Sequence, residues 1–150
     1  MFLGCGIVMP INGSTEISGS GVTYLFARAL NKENVDLVIL AGDITGIFET
    51  NNLLKPFKDK KKKVLIIPGN HESFATTDFL AQLYGIKNIH GYSAIYEDIG
   101  FFGAGGANLP PGNITEKEIL STLKKAHSGL DKVRKKIMVT HMHPSPSPSE

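Results

Sequence analysis

Cysteine is nearly absent from this 150-residue chain, which contains Cys5 alone. A single cysteine cannot form an intrachain disulfide, and its scarcity favours a reducing compartment, so we expect a cytoplasmic protein. The chain also lacks a large charge excess, because its formal net charge is only +2. So small an excess does not indicate a nucleic-acid partner, and the lysine run at residues 60–63 is better explained as a solvated turn.

Long apolar runs are absent as well. The apolar stretch at residues 1–9 has no basic leader and is far shorter than the roughly 20 residues that cross a bilayer, so we expect a core strand and no membrane partner. Hydrophobic residues make up 41% and charged residues 20% of the chain, which is ordinary globular usage. These values predict one packed domain over residues 1–150.

Short runs rich in β-branched and aromatic residues predict five further strands. These runs are residues 35–40, 64–67, 93–99, 101–104 and 137–140. The first two are mainly apolar, which is typical of strands buried on both faces, and the third and fourth are expected to meet near Gly100.

Helical patterns alternate with these strands. Apolar residues at helical spacing predict an amphipathic helix in the first part of the chain. They are Val22, Leu25, Phe26, Ala29 and Leu30. A short, weak helix is expected at residues 49–57, because Pro56 limits how far it extends.

Two further helices are predicted in the second half of the chain. One covers residues 76–84 and ends at Gly85, a typical C-terminal capping residue. Thr115 and Glu118 form a capping box for the other, which Gly129 ends. The alternation of strands and helices predicts an α/β protein whose sheet is mainly parallel at its start.

Polar residues follow three of the predicted strands where each strand ends. The three clusters are Ala41-Gly42-Asp43, Gly69-Asn70-His71-Glu72 and Thr140-His141-Met142-His143-Pro144. Ligands of α/β sheets bind at the carboxyl ends of the strands, so we expect these clusters to lie on one edge. A carboxylate, an amide oxygen and imidazoles suit divalent transition metals better than magnesium, and the pattern therefore predicts a metal site.

The order of these clusters resembles the calcineurin-like metallophosphoesterase family. That family's pattern is Asp-x-His, Gly-Asp, Gly-Asn-His-Asp/Glu, an isolated His and last Gly-His-x-His. The chain matches the second block at Gly42-Asp43, the third at residues 69–72, whose asparagine lies 27 residues after Asp43, and the fourth at His141. Residues 103–111 are similar to small archaeal and bacterial phosphoesterases of this family.

The resemblance implies a four-layer α/β/β/α sandwich of mixed sheets that hydrolyses phosphate mono- or diesters of small substrates. It also implies up to two divalent transition-metal ions, such as manganese, iron, zinc or nickel. Position by position, Asp43 would bridge both ions, Asn70 and His141 would bind the second ion, and His71 would donate a proton to the leaving group.

The first block, Asp-x-His, is missing in that form, and two stretches can take its place. Residues 10–14 directly follow the first apolar run, whereas Glu16 lies the family-like 27 residues before Asp43. In the second alignment, Glu16 replaces the aspartate as a metal ligand and Ser18 replaces the histidine. Either way the first ion loses an imidazole ligand, so we expect its affinity to be reduced.

The last block, Gly-His-x-His, is also missing, so we expect a domain that is C-terminally incomplete relative to the family. An incomplete second sheet would expose an edge strand, which favours a homo-oligomer. Four other residues have open or structural roles. Glu72 either orients His71, contacts other groups that support the site, or faces solvent. His143 is a weaker ligand candidate than His141. His90 and His127 are assigned to structural contacts or to solvent.

Two functions stay open at this point. The chain is either a metal-dependent phosphoesterase or a non-catalytic, degenerate domain that binds one metal or none and serves as a scaffold or ligand sensor. The altered first block and the missing last block favour the second hypothesis. A nuclease is disfavoured, because the chain has little net charge and no basic stripe with interleaved aromatic residues.

Overall fold

A computed structural model describes residues 35–45, 54–108 and 113–142 of the chain. These residues form six strands and three helices. The strands are β1 (Leu37–Leu40), β2 (Lys63–Ile66), β3 (Lys87–Asn88), β4 (Ser93–Tyr96), β5 (Ile99–Ala104) and β6 (Lys135–Thr140). The helices are α1 (Lys55–Asp59), α2 (Phe74–Tyr84) and α3 (Glu116–Ser128). The strand expected at residues 1–9 and the first amphipathic helix lie outside the described residues.

The first sheet has the order β1-β2-β3, and both of its pairings are parallel. Its centre is β2, in which Val64, Leu65 and Ile66 are all buried. This burial on both faces explains why the strand is a continuous apolar run. The expectation of a parallel sheet at the start is confirmed. The two-residue strand β3 was not predicted.

The second sheet has the order β4-β5-β6, with an antiparallel pair followed by a parallel pair. The predicted meeting point of β4 and β5 near Gly100 is wrong. Tyr96 and Ile99 are paired, so the turn lies at the two residues between them, where Glu97 has a φ of 55°. Gly100 is part of β5, where a Cβ atom would come within 2.8 Å of Leu130, so packing rather than a turn requires the glycine.

Helix α1 also differs from its prediction. Pro56 lies in its first turn, where a missing backbone N–H costs no hydrogen bond, and the helix continues to Asp59. Pro56 therefore belongs to the beginning of the helix and does not limit its end. Residues 49–53 of the predicted segment lie outside the described residues.

The other two helices are close to their predictions. Helix α2 begins two residues earlier than expected, because the Ser73 side chain accepts a hydrogen bond from the Thr76 N–H at 3.1 Å. It ends, as predicted, at Gly85 in the left-handed conformation. In α3 the Thr115 hydroxyl accepts from the Glu118 N–H, and the Glu118 carboxylate accepts from the Thr115 N–H. The predicted capping box is thus confirmed.

Three apolar layers connect these elements. The first joins the first sheet to α1 and α2 through residues such as Val38 and Phe57. The second lies between the two sheets and includes Leu65 and Phe101, and the third packs α3 on the second sheet around Leu130. Each fully buried side chain of this size contributes about 1.5–3 kcal/mol. The layer order is therefore helices, sheet, sheet, helix, as expected from the sequence, and the fold is α/β.

None of the helices in the described ranges is long and apolar enough to cross a membrane.

Strand β6 is at the edge of the second sheet among the described residues, and it exposes Ile137 and Met138 at 42% and 58%. The homo-oligomer expected through a sheet edge stays a prediction. We expect the chain to sediment as a dimer or larger species and a Met138→Lys variant to sediment as a monomer, because a charged edge resists strand pairing. A wild-type chain that remains monomeric at high concentration would contradict this expectation.

Candidate metal centre

Three loops at strand ends carry the residues that the sequence singled out. The loop at residues 41–44 follows β1, the loop at residues 67–73 follows β2, and His141 follows β6. The expectation of a single sheet edge needs correction, because β6 belongs to the second sheet. The face-to-face packing of the two sheets brings the carboxyl ends of β1, β2 and β6 together.

Two glycines allow the first two loops to approach each other closely. A Cβ atom on Gly42 would lie 2.5 Å from the Gly69 Cα and 2.6 Å from His141 Nδ1, and one on Gly69 would overlap Asp43. Gly42 also has a φ of 96°, which side chains rarely tolerate. Asp43 itself has a φ of 54°, a left-handed conformation that aspartate adopts more readily than most residues.

The Asp43 carboxylate joins the two loops. Its Oδ1 accepts hydrogen bonds from the backbone N–H groups of Asn70 at 3.0 Å and His71 at 3.2 Å. These bonds place the Asn70 and His71 side chains beside the carboxylate. The turn after β2 is therefore held by an acidic side chain from the neighbouring loop.

His141 is oriented by the backbone of the first loop. Its Nδ1 lies 2.7 Å from the Ala41 carbonyl oxygen, which can only accept, so Nδ1 carries the hydrogen. In a neutral ring Nε2 then has a free lone pair. This nitrogen lies 3.2 Å from Asn70 Oδ1 and 3.5 Å from Asp43 Oδ1. A metal-binding histidine typically donates its other N–H to a carbonyl in this way.

Three acceptor atoms thus face one another in this cluster: Asp43 Oδ1, Asn70 Oδ1 and His141 Nε2. The Asn70 amide presents its oxygen to the ring, and Nε2 of the neutral ring carries no hydrogen, so none of the three atoms donates to another. A cation bound among them would relieve the repulsion between their lone pairs. One carboxylate, one amide oxygen and one imidazole fit a divalent transition metal. The described residues hold no group of three histidine, cysteine or acidic side chains that could bind a metal.

The His71 ring lies at the mouth of this cluster. Its Nε2 is 3.9 Å from Asp43 Oδ2, and 53% of its side chain is exposed. The two oxygens of Asp43 therefore face different groups, since Oδ1 lies toward Asn70 and His141 and Oδ2 toward His71. Both side chains are accessible from solvent, since 39% of the Asp43 side chain is exposed as well.

Glu72 lies beneath the cluster and is only 2% exposed. Its Oε1 accepts from the backbone N–H groups of Ile44 at 3.3 Å and Gly69 at 3.1 Å, while Oε2 has no hydrogen-bond partner among the described residues. Burial raises the pKa of this carboxyl, and the two backbone hydrogen bonds partly offset the rise. The interpretation of Glu72 as a solvent-facing residue is wrong, and its hydrogen bonds go to backbone groups rather than to the His71 ring.

The remaining candidates are placed as follows. Glu16, Ser18, residues 10–14 and His143 lie outside the described residues, so the first-metal half of the site stays a prediction. His90 stacks on Phe74 at 4.7 Å between ring centroids and accepts a hydrogen bond from the Gly105 N–H. Burial lowers the pKa of His90. His127 is exposed and packs edge-on against Phe102, so both histidines make the structural contacts expected of them.

Two supporting contacts were missed by sequence reasoning. The Ala41 carbonyl that orients His141 is a backbone group 100 residues away, and no sequence signal marks it. The bonds from Glu72 to both loops were also missed. The sequence does contain one signal for the burial of Glu72. This residue lies between His71 and the apolar residues of α2, a position that favours an inward-facing side chain.

The close approach of the two loops gives a stability test. We expect Gly42→Ala to destabilise the fold by about 2 kcal/mol or more, because the methyl group meets both a positive φ and the backbone of the facing loop. Gly85→Ala is the matched control, since Gly85 has a φ of 65° but open space around it, and it should cost about 1 kcal/mol. Urea denaturation measures both values. Equal costs would show that the loops do not require this contact.

Comparison with known proteins identifies a family. The family model described as calcineurin-like phosphoesterase matches residues 20–149, a range that includes Asp43, Asn70, His71 and His141. No curated protein and no solved structure matches the chain significantly.

Proposed function

Because the chain belongs to the calcineurin-like phosphoesterase family, we propose that it hydrolyses phosphate mono- or diesters of small substrates at a centre of two divalent metal ions. The family supports a phosphoesterase type of function and metal binding in general. The reaction, the number of ions and the substrate class go beyond what family membership supports, and we propose them.

One observation carries the proposal. Asn70 Oδ1 and Asp43 Oδ1 lie 3.2 Å and 3.5 Å from His141 Nε2, which supplies no hydrogen to either oxygen when the ring is neutral. A phosphoesterase needs positive charge at this point, since its substrate is an anion. The three side chains would hold one ion, and Asp43 Oδ2, which faces away from them toward His71, is available to a second.

This other ion, the first ion of the family pattern, would rest on Asp43 and on Glu16, if Glu16 takes the place of the aspartate in the first block. Two bound ions would neutralise the phosphate charge and make a water molecule nucleophilic at neutral pH. A carboxylate shared between two cations reduces their mutual repulsion, which is the role we assign to Asp43.

His71 is the proposed proton donor. Its exposed ring lies beside Asp43 Oδ2 at 3.9 Å, so a phosphate ester bound at the cluster would place its leaving oxygen within reach of the ring. A protonated imidazole that gives its proton to this oxygen assists the departure of the leaving group.

The activity is tested with p-nitrophenyl phosphate and bis-p-nitrophenyl phosphate in the presence of Mn²⁺. We expect turnover of at least one substrate and a loss of about 10²–10⁴-fold in kcat for His71→Ala, the usual contribution of a general acid. His127→Ala is the matched control, because His127 is exposed on α3 and should leave the rate unchanged. Wild-type turnover no greater than that of His71→Ala would contradict the proposal.

A degenerate domain is the second candidate function. It is favoured by the altered first block, since the sequence has no Asp-x-His. In that case the chain binds one metal ion or none and acts as a scaffold or as a sensor of a phosphate ligand. The cluster of Asp43, Asn70 and His141 alone would then define its metal site.

Metal content separates the two candidates. Under the enzyme proposal, we expect two equivalents of manganese, iron, zinc or nickel in the purified chain, with the affinity for one of them much lower in His141→Ala. Elemental analysis with equilibrium dialysis measures both. One equivalent supports the single-metal domain, and no binding at saturating metal rules out a metal role for the cluster.

A further inference from the structure

Glu72 and Asp43 form reciprocal links between the two ligand loops. Asp43, from the loop after β1, accepts hydrogen bonds from two N–H groups of the loop after β2. Glu72, from the loop after β2, accepts from Ile44 in the first loop and from Gly69 in its own. The first link is at the solvent side of the loops, and the second is buried beneath them.

The two links differ in what a metal ion would do to them. Oδ1 is also the oxygen of Asp43 that faces His141 Nε2, at 3.5 Å, so an ion bound in the cluster would draw on the same lone pairs that accept the Asn70 and His71 N–H groups. Glu72 Oε1 accepts only backbone hydrogens and is shielded from solvent. The Glu72 hydrogen bonds would therefore persist when a bound ion weakens those of Asp43.

We propose that Glu72 is a positioning residue, which holds the loops of Asp43 and Asn70 at the separation that a bound metal ion requires. This inference rests on the proposed function, because it assumes that the cluster binds a metal. It assigns to Glu72 a role in metal affinity in addition to its contribution to folding. Outer groups that orient metal ligands commonly change affinity by about 10–100-fold.

The position of Glu72 in the chain supports this role. It directly follows His71 and directly precedes Ser73, the N-cap residue of α2, so its backbone is fixed by the start of a helix. The carboxylate then reaches back to Gly69 and across to Ile44. A rigid helix end is thus coupled to the loop that carries Asp43.

Three variants of Glu72 test the proposal through Co²⁺ binding, followed by visible absorption. Glu72→Ala removes the acceptor, and we expect Co²⁺ affinity to fall about 10-fold or more. Glu72→Gln keeps an oxygen that can accept both N–H groups, so we expect affinity within about 3-fold of wild type. Glu72→Asp keeps the charge but is one methylene shorter, and we expect it to resemble Glu72→Ala.

A control variant separates positioning from general stability. Thr77 is fully buried on the same helix, and its hydroxyl donates to the carbonyl of Ser73, the last residue of the loop after β2, rather than to Gly69 or Ile44. Thr77→Ala should destabilise the fold while leaving Co²⁺ affinity unchanged. In metal-free protein, amide exchange at Ile44 and Gly69 should accelerate in Glu72→Asp by more than its loss of global stability explains, and in Thr77→Ala by no more than that loss explains.

The possible outcomes are distinct. A folded Glu72→Ala that binds Co²⁺ as tightly as wild type, or a Thr77→Ala that loses as much affinity, overturns the positioning role alone. If Glu72→Ala does not fold, the comparison of Glu72→Gln with Glu72→Asp decides, and equal affinities overturn the role. If wild type binds no Co²⁺, the proposed function fails, and the positioning role fails with it.

Discussion

The hydrogen bonds that Asp43 accepts from the loop after β2 are the interaction on which the site depends. They lock a carboxylate against the N–H groups of Asn70 and His71, and this contact is possible only because Gly42 and Gly69 have no side chains to separate the loops. The same contact aligns the Asn70 amide with the ring of His141. The residues of the cluster therefore form one unit.

The two-sheet packing supplies the third member of that unit. Buried residues such as Leu65, Phe101 and Val139 fill the space between the sheets and fix β6 opposite β1 and β2. His141 then reaches the Ala41 carbonyl from the other sheet. The apolar layer between the sheets thus determines both the stacking of the two sheets and the position of His141 in the cluster.

Much of this arrangement could be predicted from the sequence, because it depends on local signals. The capping box of Thr115 and Glu118, the helix end at Gly85 and the apolar strands are determined by neighbouring residues. The residues of the cluster were also found, since a polar group at the end of an apolar strand is visible in the sequence. The spacing of Asp43 and Asn70 then indicated that their loops belong together.

The rest depends on contacts between distant residues. Strand β3 has only two residues and forms because Lys87 and Asn88 pair with β2. Gly100 resembles a turn residue in sequence, but its neighbour Leu130 explains its presence. The burial of Glu72 likewise depends on the packing of two loops. Such features have no local sequence pattern from which they could be predicted.

A crystal structure grown with Zn²⁺ and measured at the zinc absorption edge tests the central claim most directly. We predict an anomalous peak contacted by an Asp43 carboxylate oxygen, Asn70 Oδ1 and His141 Nε2, with a metal–nitrogen distance of about 2.0–2.1 Å. A structure in which Zn²⁺ is bound elsewhere, or in which His141 Nε2 donates a hydrogen bond to Asn70 at saturating Zn²⁺, would contradict the account.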